Sequence, residues 1–135
     1  MRRRDPSEPA TADVTLVDTD PHTFSYSAAL GRKALLVILS RERFGDTFIL
    51  DRPRSVLGRQ KECEFVIEDP LLSRQHCLFT IDEKGDFYIE DLNSTNETML
   101  NSRPLRKKSQ LTYGDRIVAG NTVLRFYLEE ELEKK

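Results

Sequence analysis

Short apolar runs follow one another closely from residue 34 onward, and this spacing is the strongest constraint on the fold. Each run has three to seven residues, which suits a β-strand and is too short for an ordinary helix. Turn residues separate the runs at 45–46, 83–85, 113–115 and 120–121. The predicted strands are 34–39, 47–50, 55–57, 64–67, 75–81, 86–90, 98–100, 110–112, 115–119 and 122–127. About ten or eleven short, mostly antiparallel strands predict an all-β sandwich.

Chain length and charge narrow the class further. A chain of 135 residues with 38% hydrophobic residues has room for one domain with a single core. A formal net charge of −2 offers no basic face for nucleic acid. No run approaches the roughly 20 apolar residues of a transmembrane helix, and Asp5 follows the basic N-terminus where a signal peptide would be apolar. We therefore predict a cytoplasmic protein without nucleic-acid or membrane partners.

Composition also predicts the domain boundaries. Residues 1–30 contain Pro6, Pro9 and Pro21 and little periodicity, which is typical of a flexible N-terminal arm. The β-sandwich is expected over 31–129, and a charged C-terminal tail over 130–135.

The cysteines and histidines predict neither disulfides nor a metal site. Cys63 and Cys77 do not make a disulfide framework. Together with His22 and His76 they lack the paired spacing of zinc ligands.

Three polar clusters in predicted loops carry the functional information. They read Gly58-Arg59, Ser73-Arg74-Gln75-His76, and Ser94-Thr95-Asn96-Glu97-Thr98 with Asn101 beyond. A fixed cation, several hydroxyls and an amide are the groups that hold a phosphate dianion and a neighbouring backbone group. Loops gather at the ends of a sandwich, so the clusters are expected to converge there. The pattern favours a binding site over an active site.

In this order and spacing, the clusters resemble the signature of the forkhead-associated (FHA) domain. The resemblance covers residues 33 to 127, about two thirds of the chain. That family consists of β-sandwiches that bind phosphothreonine peptides. The resemblance therefore implies an adaptor in Ser/Thr kinase signalling that is not an enzyme and needs no cofactor or metal. The implied partner is a phosphothreonine-containing protein, such as a Ser/Thr kinase or its substrate.

The resemblance also implies roles for individual residues. Arg59, Ser73, Arg74 and Thr95 are expected to hold the phosphate, and Asn96 to bind the ligand's backbone. The residues expected to support the site are Gly58, His76, Ser94, Thr98 and Asn101. Leu71, two residues before Ser73, favours Ile or Leu over an acidic residue three positions after the phosphothreonine.

Two residues depart from the family pattern. Glu97 and Ser102 stand where glycines usually follow Asn96 and Asn101. If the position of Glu97 requires a positive φ, a non-glycine residue there costs about 1–2 kcal/mol. Its carboxylate near a dianion would also weaken phosphate binding.

Two other functions stay open at the level of sequence. One is an FHA-fold assembly or scaffold module with a decayed phosphate site, which Glu97 favours. The other is a hydrolase with Ser73 as nucleophile and His76 as base, which lacks a third orienting group and a nucleophile elbow.

Threonines in the arm add a regulatory hypothesis. Thr11 and Thr15 lie in an acidic segment that a kinase could phosphorylate. A phosphorylated arm would be a tethered ligand for the chain's own site or for a second copy, giving self-association.

Overall fold

The computed structural model describes residues 33–129, and the predicted arm, the predicted tail, Thr11 and Thr15 lie outside them. The described residues form eleven strands and one 3-10 turn, Arg41–Arg43. The strands are β1 Ala34–Ile38, β2 Thr47–Leu50, β3 Arg54–Gly58, β4 Phe65–Val66, β5 Cys77–Ile81, β6 Phe87–Asp91, β7 Met99–Leu100, β8 Arg103–Pro104, β9 Ser109–Gln110, β10 Arg116–Ala119 and β11 Thr122–Leu128. The all-β prediction is confirmed. Within 33–129, no helix has the length and hydropathy to span a bilayer.

The strands form two sheets. The six-stranded sheet has the order β2-β1-β11-β10-β7-β8, and the five-stranded sheet has the order β4-β3-β5-β6-β9. All pairs are antiparallel except β3 and β4, which run parallel.

Alternating side chains build the core between the sheets. In β1, Ala34, Leu36 and Ile38 are at most 1% exposed, while the residues between them are only half-buried. Their neighbours Leu124 and Phe126 in β11 are fully buried. Each large apolar side chain buried in this way contributes about 1.5–3 kcal/mol. The period of two therefore decides which face of each strand packs inward.

Aromatic pairs add to this packing. Phe87 of the five-stranded sheet meets Phe126 of the other sheet edge to face, with ring centroids 5.5 Å apart. Phe48 and Phe65 stack at 4.6 Å where the edge strands β2 and β4 face each other. These contacts fix the relative position of the two sheets.

The register places the polar clusters at one end of the sandwich. Leu57 near the end of β3 pairs with Cys77, and Cys77 pairs with Asp91 at the end of β6. Met99 at the start of β7 pairs with Val118 near the end of β10. The loops that meet there are 39–46, 59–64, 67–76, 92–98 and 105–108, with the turn 120–121. We call this the loop end.

Candidate phosphopeptide site

Gly58 allows two backbone segments of the loop end to approach closely. A Cβ atom at Gly58 would lie 2.1 Å from the carbonyl oxygen of Arg74. Beside it, Arg59 N donates to Ser73 O and Gln60 N donates to Arg74 O, both at 3.1 Å. Glycine is needed here for space, and it sets Arg59 next to Ser73.

The Arg59 side chain is exposed and oriented by the neighbouring loop. Its Nε donates to the carbonyl oxygen of Leu72 at 2.9 Å. This bond uses one of the five guanidinium N–H groups and leaves the outer nitrogens for a ligand. Arg74 is also exposed, while its carbonyl oxygen accepts from Gln60 N and from Cys63 Sγ.

Two hydrogen bonds join loop 67–76 to loop 92–98. Thr95 N donates to Ser73 Oγ at 2.9 Å, and Asn96 Nδ2 donates to Leu71 O at 3.0 Å. The Ser73 hydroxyl accepts in the first bond, so its own hydrogen can point toward a ligand. The structure thus brings Arg59, Ser73, Thr95 and Asn96 onto one surface.

His76 lies beneath this surface, fully buried. Its Nδ1 accepts the Ser73 backbone N–H at 3.1 Å, so the neutral ring carries its hydrogen on Nε2. Burial lowers the pKa of His76. The charges of Asp91 and Asp69 and the Asn96 carbonyl raise that pKa, but by less, so the pKa is lowered overall. That carbonyl is near the ring, but within residues 33–129 no acceptor has hydrogen-bond geometry to Nε2. His76 braces the amide of Ser73 and is not bonded to its hydroxyl, so the two do not form a nucleophile–base pair.

Asp91 organises loop 92–98 and was missed by the sequence analysis. Its carboxylate accepts from the Ser94 backbone N at 2.9 Å, from the Ser94 hydroxyl and from Thr98 Oγ1 at 2.6 Å. Burial alone would raise the pKa of Asp91, but these hydrogen bonds together lower it. Ser94 and Thr98 therefore support the loop through Asp91. An Asp that ends a strand three residues before a Ser is a local turn signal that could have identified it.

Asp69 is a second missed carboxylate, and it holds loop 67–76. It is 6% exposed and accepts from Leu71 N at 2.9 Å, Asn121 N at 2.7 Å and Thr122 Oγ1 at 2.8 Å. These bonds tie the loop to the turn between β10 and β11. No local pattern predicts this, because Asn121 and Thr122 lie 52 and 53 residues further along the chain.

The two departures from the family pattern have different consequences. The non-glycine residues with positive φ in 33–129 are Asn93, Asn101 and Ser102, and Glu97 is not among them. Glu97 is exposed and does not have a positive φ. The energetic cost of a non-glycine residue in a left-handed conformation therefore does not apply to it. Ser102 has a φ of 70° in the two-residue turn between Leu100 and Arg103, where glycine is favoured.

Asn101 is not brought to the loop end. It lies in the turn after β7, where its Nδ2 donates to Asp115 Oδ1 and its Oδ1 accepts from Arg116 N, both at 2.9 Å. It therefore supports the start of β10 and not the loops that contain Ser73 and Thr95.

The described residues contain no group of three or more His, Cys, Asp or Glu side chains placed to hold a metal ion. Cys63 and Cys77 are buried free thiols whose pKa values are raised by burial.

Comparisons with known proteins agree with this geometry. The FHA domain model matches residues 55–120. The oxoglutarate dehydrogenase inhibitor of Corynebacterium efficiens is 38% identical over 93 residues, which are 69% of this chain and 64% of that protein. The chain therefore spans less than two thirds of this relative's length.

Two solved structures extend the comparison. The FHA domain of an Arabidopsis thaliana hypothetical protein is 30% identical, with a TM-score of 0.63, and the match covers 71% of this chain and 83% of that domain. An FHA structure from a study of phosphothreonine-dependent FHA domain interactions is 28% identical, with a TM-score of 0.63, covering 70% of this chain and 95% of that one. The resemblance found in the sequence is confirmed: this chain belongs to the forkhead-associated (FHA) domain family.

Proposed function

We propose that the chain is a phosphothreonine-peptide-binding regulator in Ser/Thr kinase signalling. The observation that carries the proposal is the pair of hydrogen bonds that places Ser73, Thr95 and Asn96 on one exposed surface beside Arg59. The study of phosphothreonine-dependent interactions in a related FHA domain supports this ligand. A relative that is named as an inhibitor supports regulation by binding over catalysis.

The site's groups suit a phosphate dianion next to an extended peptide. The outer nitrogens of Arg59 and the hydroxyl hydrogens of Ser73 and Thr95 would donate to phosphate oxygens, with Arg74 adding a second cation. Asn96 donates one amide hydrogen to Leu71 O, so its other amide hydrogen and its Oδ1 remain available to the ligand's backbone. Leu71 is 43% exposed beside this position, which supports an apolar residue three positions after the phosphothreonine.

The scaffold alternative now depends on the charge of Glu97 alone. Its exposed carboxylate next to Asn96 would repel a dianion, although salt screens such a charge. Calorimetric titration with one peptide in its phosphothreonine and unphosphorylated forms separates the two functions, because a scaffold with a decayed site binds neither form.

Substitution of Arg59 tests the site itself. Losing a charged hydrogen-bond donor costs about 1.5–3 kcal/mol, so Arg59→Ala should weaken phosphopeptide binding by roughly 10- to 150-fold. Arg52→Ala is the matched control, since Arg52 is an exposed arginine before β3, at the opposite end of the sandwich. Equal affinities of Arg59→Ala and wild type would remove Arg59 from the site.

The partner we propose is a Ser/Thr kinase or its phosphorylated substrate, and the location we propose is the cytoplasm. Phosphorylation of Thr11 or Thr15 would supply a tethered ligand and block external partners or join two copies. The test is to phosphorylate the full chain, map the site and compare external peptide affinity and oligomeric mass with and without residues 1–30.

A further inference from the structure

Three consecutive cations occupy the loop between β8 and β9, and the proposed function gives them no role. Arg106, Lys107 and Lys108 are all exposed, whereas Leu105 before them is buried and anchors the loop. We call residues 106–108 the basic loop. Because β8 runs toward the loop end and β9 starts from it, the basic loop lies at the same end as the candidate phosphopeptide site.

Backbone pairing places the basic loop directly beside loop 92–98. Met99 pairs with Pro104, and Leu105 N donates to Thr98 O at 2.8 Å. Continued by one more position, the same register would set Arg106 opposite Glu97, the residue after Asn96. Side chains at such opposed positions have Cβ atoms about 4.5–5.5 Å apart. The basic loop therefore borders the site on the flank away from Leu71.

The charges of the basic loop are exposed to solvent. In the part of the chain that the structure describes, neither Arg106 nor Lys107 forms an ion pair, whereas Arg43 does so with Asp46. Lys108 Nζ lies 5.2 Å from the centre of the Tyr88 ring. Tyr88 is half-buried on the outer face of β6, so the contact draws the Lys108 ammonium back from the loop end and leaves it charged. Three adjacent exposed cations make a local positive potential on a chain whose net charge is −2.

We infer that the basic loop binds acidic side chains that flank the phosphothreonine in the ligand. The inference rests on the proposed function and adds to it a preference for a ligand with a carboxylate-rich flank. A peptide fits this surface better than nucleic acid, because the three cations adjoin a site for one phosphate and do not form an extended basic face.

The experiment compares three peptides that share one phosphothreonine core, with neutral flanks, with three acidic residues before the phosphothreonine, or with three after it. The proteins are the full wild-type chain, the variant R106Q/K107Q/K108Q and the control R52Q/R54Q/K84Q. The control removes three exposed cations at the opposite end of the sandwich. Affinities are measured by fluorescence anisotropy at about 50 and 500 mM salt.

One of the two acidic peptides should bind wild type about tenfold more tightly than the neutral peptide, since each exposed ion pair contributes modestly. The basic-loop variant should lose this preference while keeping its affinity for the neutral peptide, and the control should retain the preference. The preference should shrink at high salt. Equal binding of the three peptides to wild type, or equal loss in both variants, overturns the inference and leaves the proposed function intact. No binding of any peptide to wild type overturns both.

Discussion

Gly58→Ala should damage stability and binding together, because the added methyl group has no space. The Cβ atom would lie 2.1 Å from Arg74 O and 2.8 Å from Arg74 C, so the two backbone segments must separate by roughly 1 Å. The hydrogen bonds from Arg59 N to Ser73 O and from Gln60 N to Arg74 O, both 3.1 Å long, cannot survive such a separation. Losing two partly buried bonds and leaving their groups unpaired costs about 2–4 kcal/mol.

Urea unfolding followed by circular dichroism measures the loss in the free energy of unfolding. In a thermal scan, the melting temperature should fall by roughly 10–30 °C. Gly45→Ala is the control, because Gly45 has a φ of +93° and a methyl group added there would have no atom within 4 Å. Left-handed backbone strain should lower its stability by only about 1–2 kcal/mol. At a temperature where Gly58→Ala is folded, its affinity for a phosphothreonine peptide should be at least about tenfold weaker. A Gly58→Ala protein that is as stable as Gly45→Ala would refute the argument from close approach.

Three further predictions concern single residues. Ser102→Gly should raise the free energy of unfolding by about 0.5–1.5 kcal/mol, because glycine adopts the left-handed conformation of residue 102 without strain. Urea titration of this variant and of Ser102→Ala measures the gain, and equal stability of the two variants would contradict the prediction. Glu97→Gln should leave stability within about 0.5 kcal/mol of wild type. Because it removes a negative charge near the phosphate, it should tighten phosphopeptide binding a few-fold at low salt. Calorimetry measures this affinity, and weaker binding would show that the carboxylate favours binding. Because burial lowers the pKa of His76 below its ordinary 6.5, the unfolded chain binds more protons and stability should fall as pH drops below that value. Urea titrations from pH 8 to 5 on wild type and His76→Asn test this, and a wild-type stability that is flat across this range would show that His76 is not held neutral.

Strands with a buried apolar face could be predicted from the sequence. Strands that exist only because they pair with a neighbouring strand could not. The prediction for 47–50 coincides with β2, and that for 122–127 is one residue shorter than β11. β8 was missed because Arg103 and Pro104 are both exposed and carry no alternation. The strand predicted from residue 75 starts only at Cys77, because His76 turns inward to brace Ser73.

The site divides in the same way. The position of the motif residues in loops could be predicted from their order, since each short cluster borders a strand. Asp69 could not, because its partners lie across the fold in the turn between β10 and β11. The backbone angle of Glu97 also depends on how loop 92–98 closes over Asp91, and residue identity alone does not determine it.

The hydrogen bonds between loops 67–76 and 92–98 have a consequence for binding kinetics. Ser73–Thr95 and Leu71–Asn96 are joined by hydrogen bonds of the protein itself, and Asp69 and Asp91 anchor the two loops separately. A ligand would then meet a rigid receptor, so the entropy lost on binding comes mainly from straightening the peptide. Association would proceed in a single phase whose rate is linear in peptide concentration, and differences among ligands would be expressed mainly in how long each one stays bound.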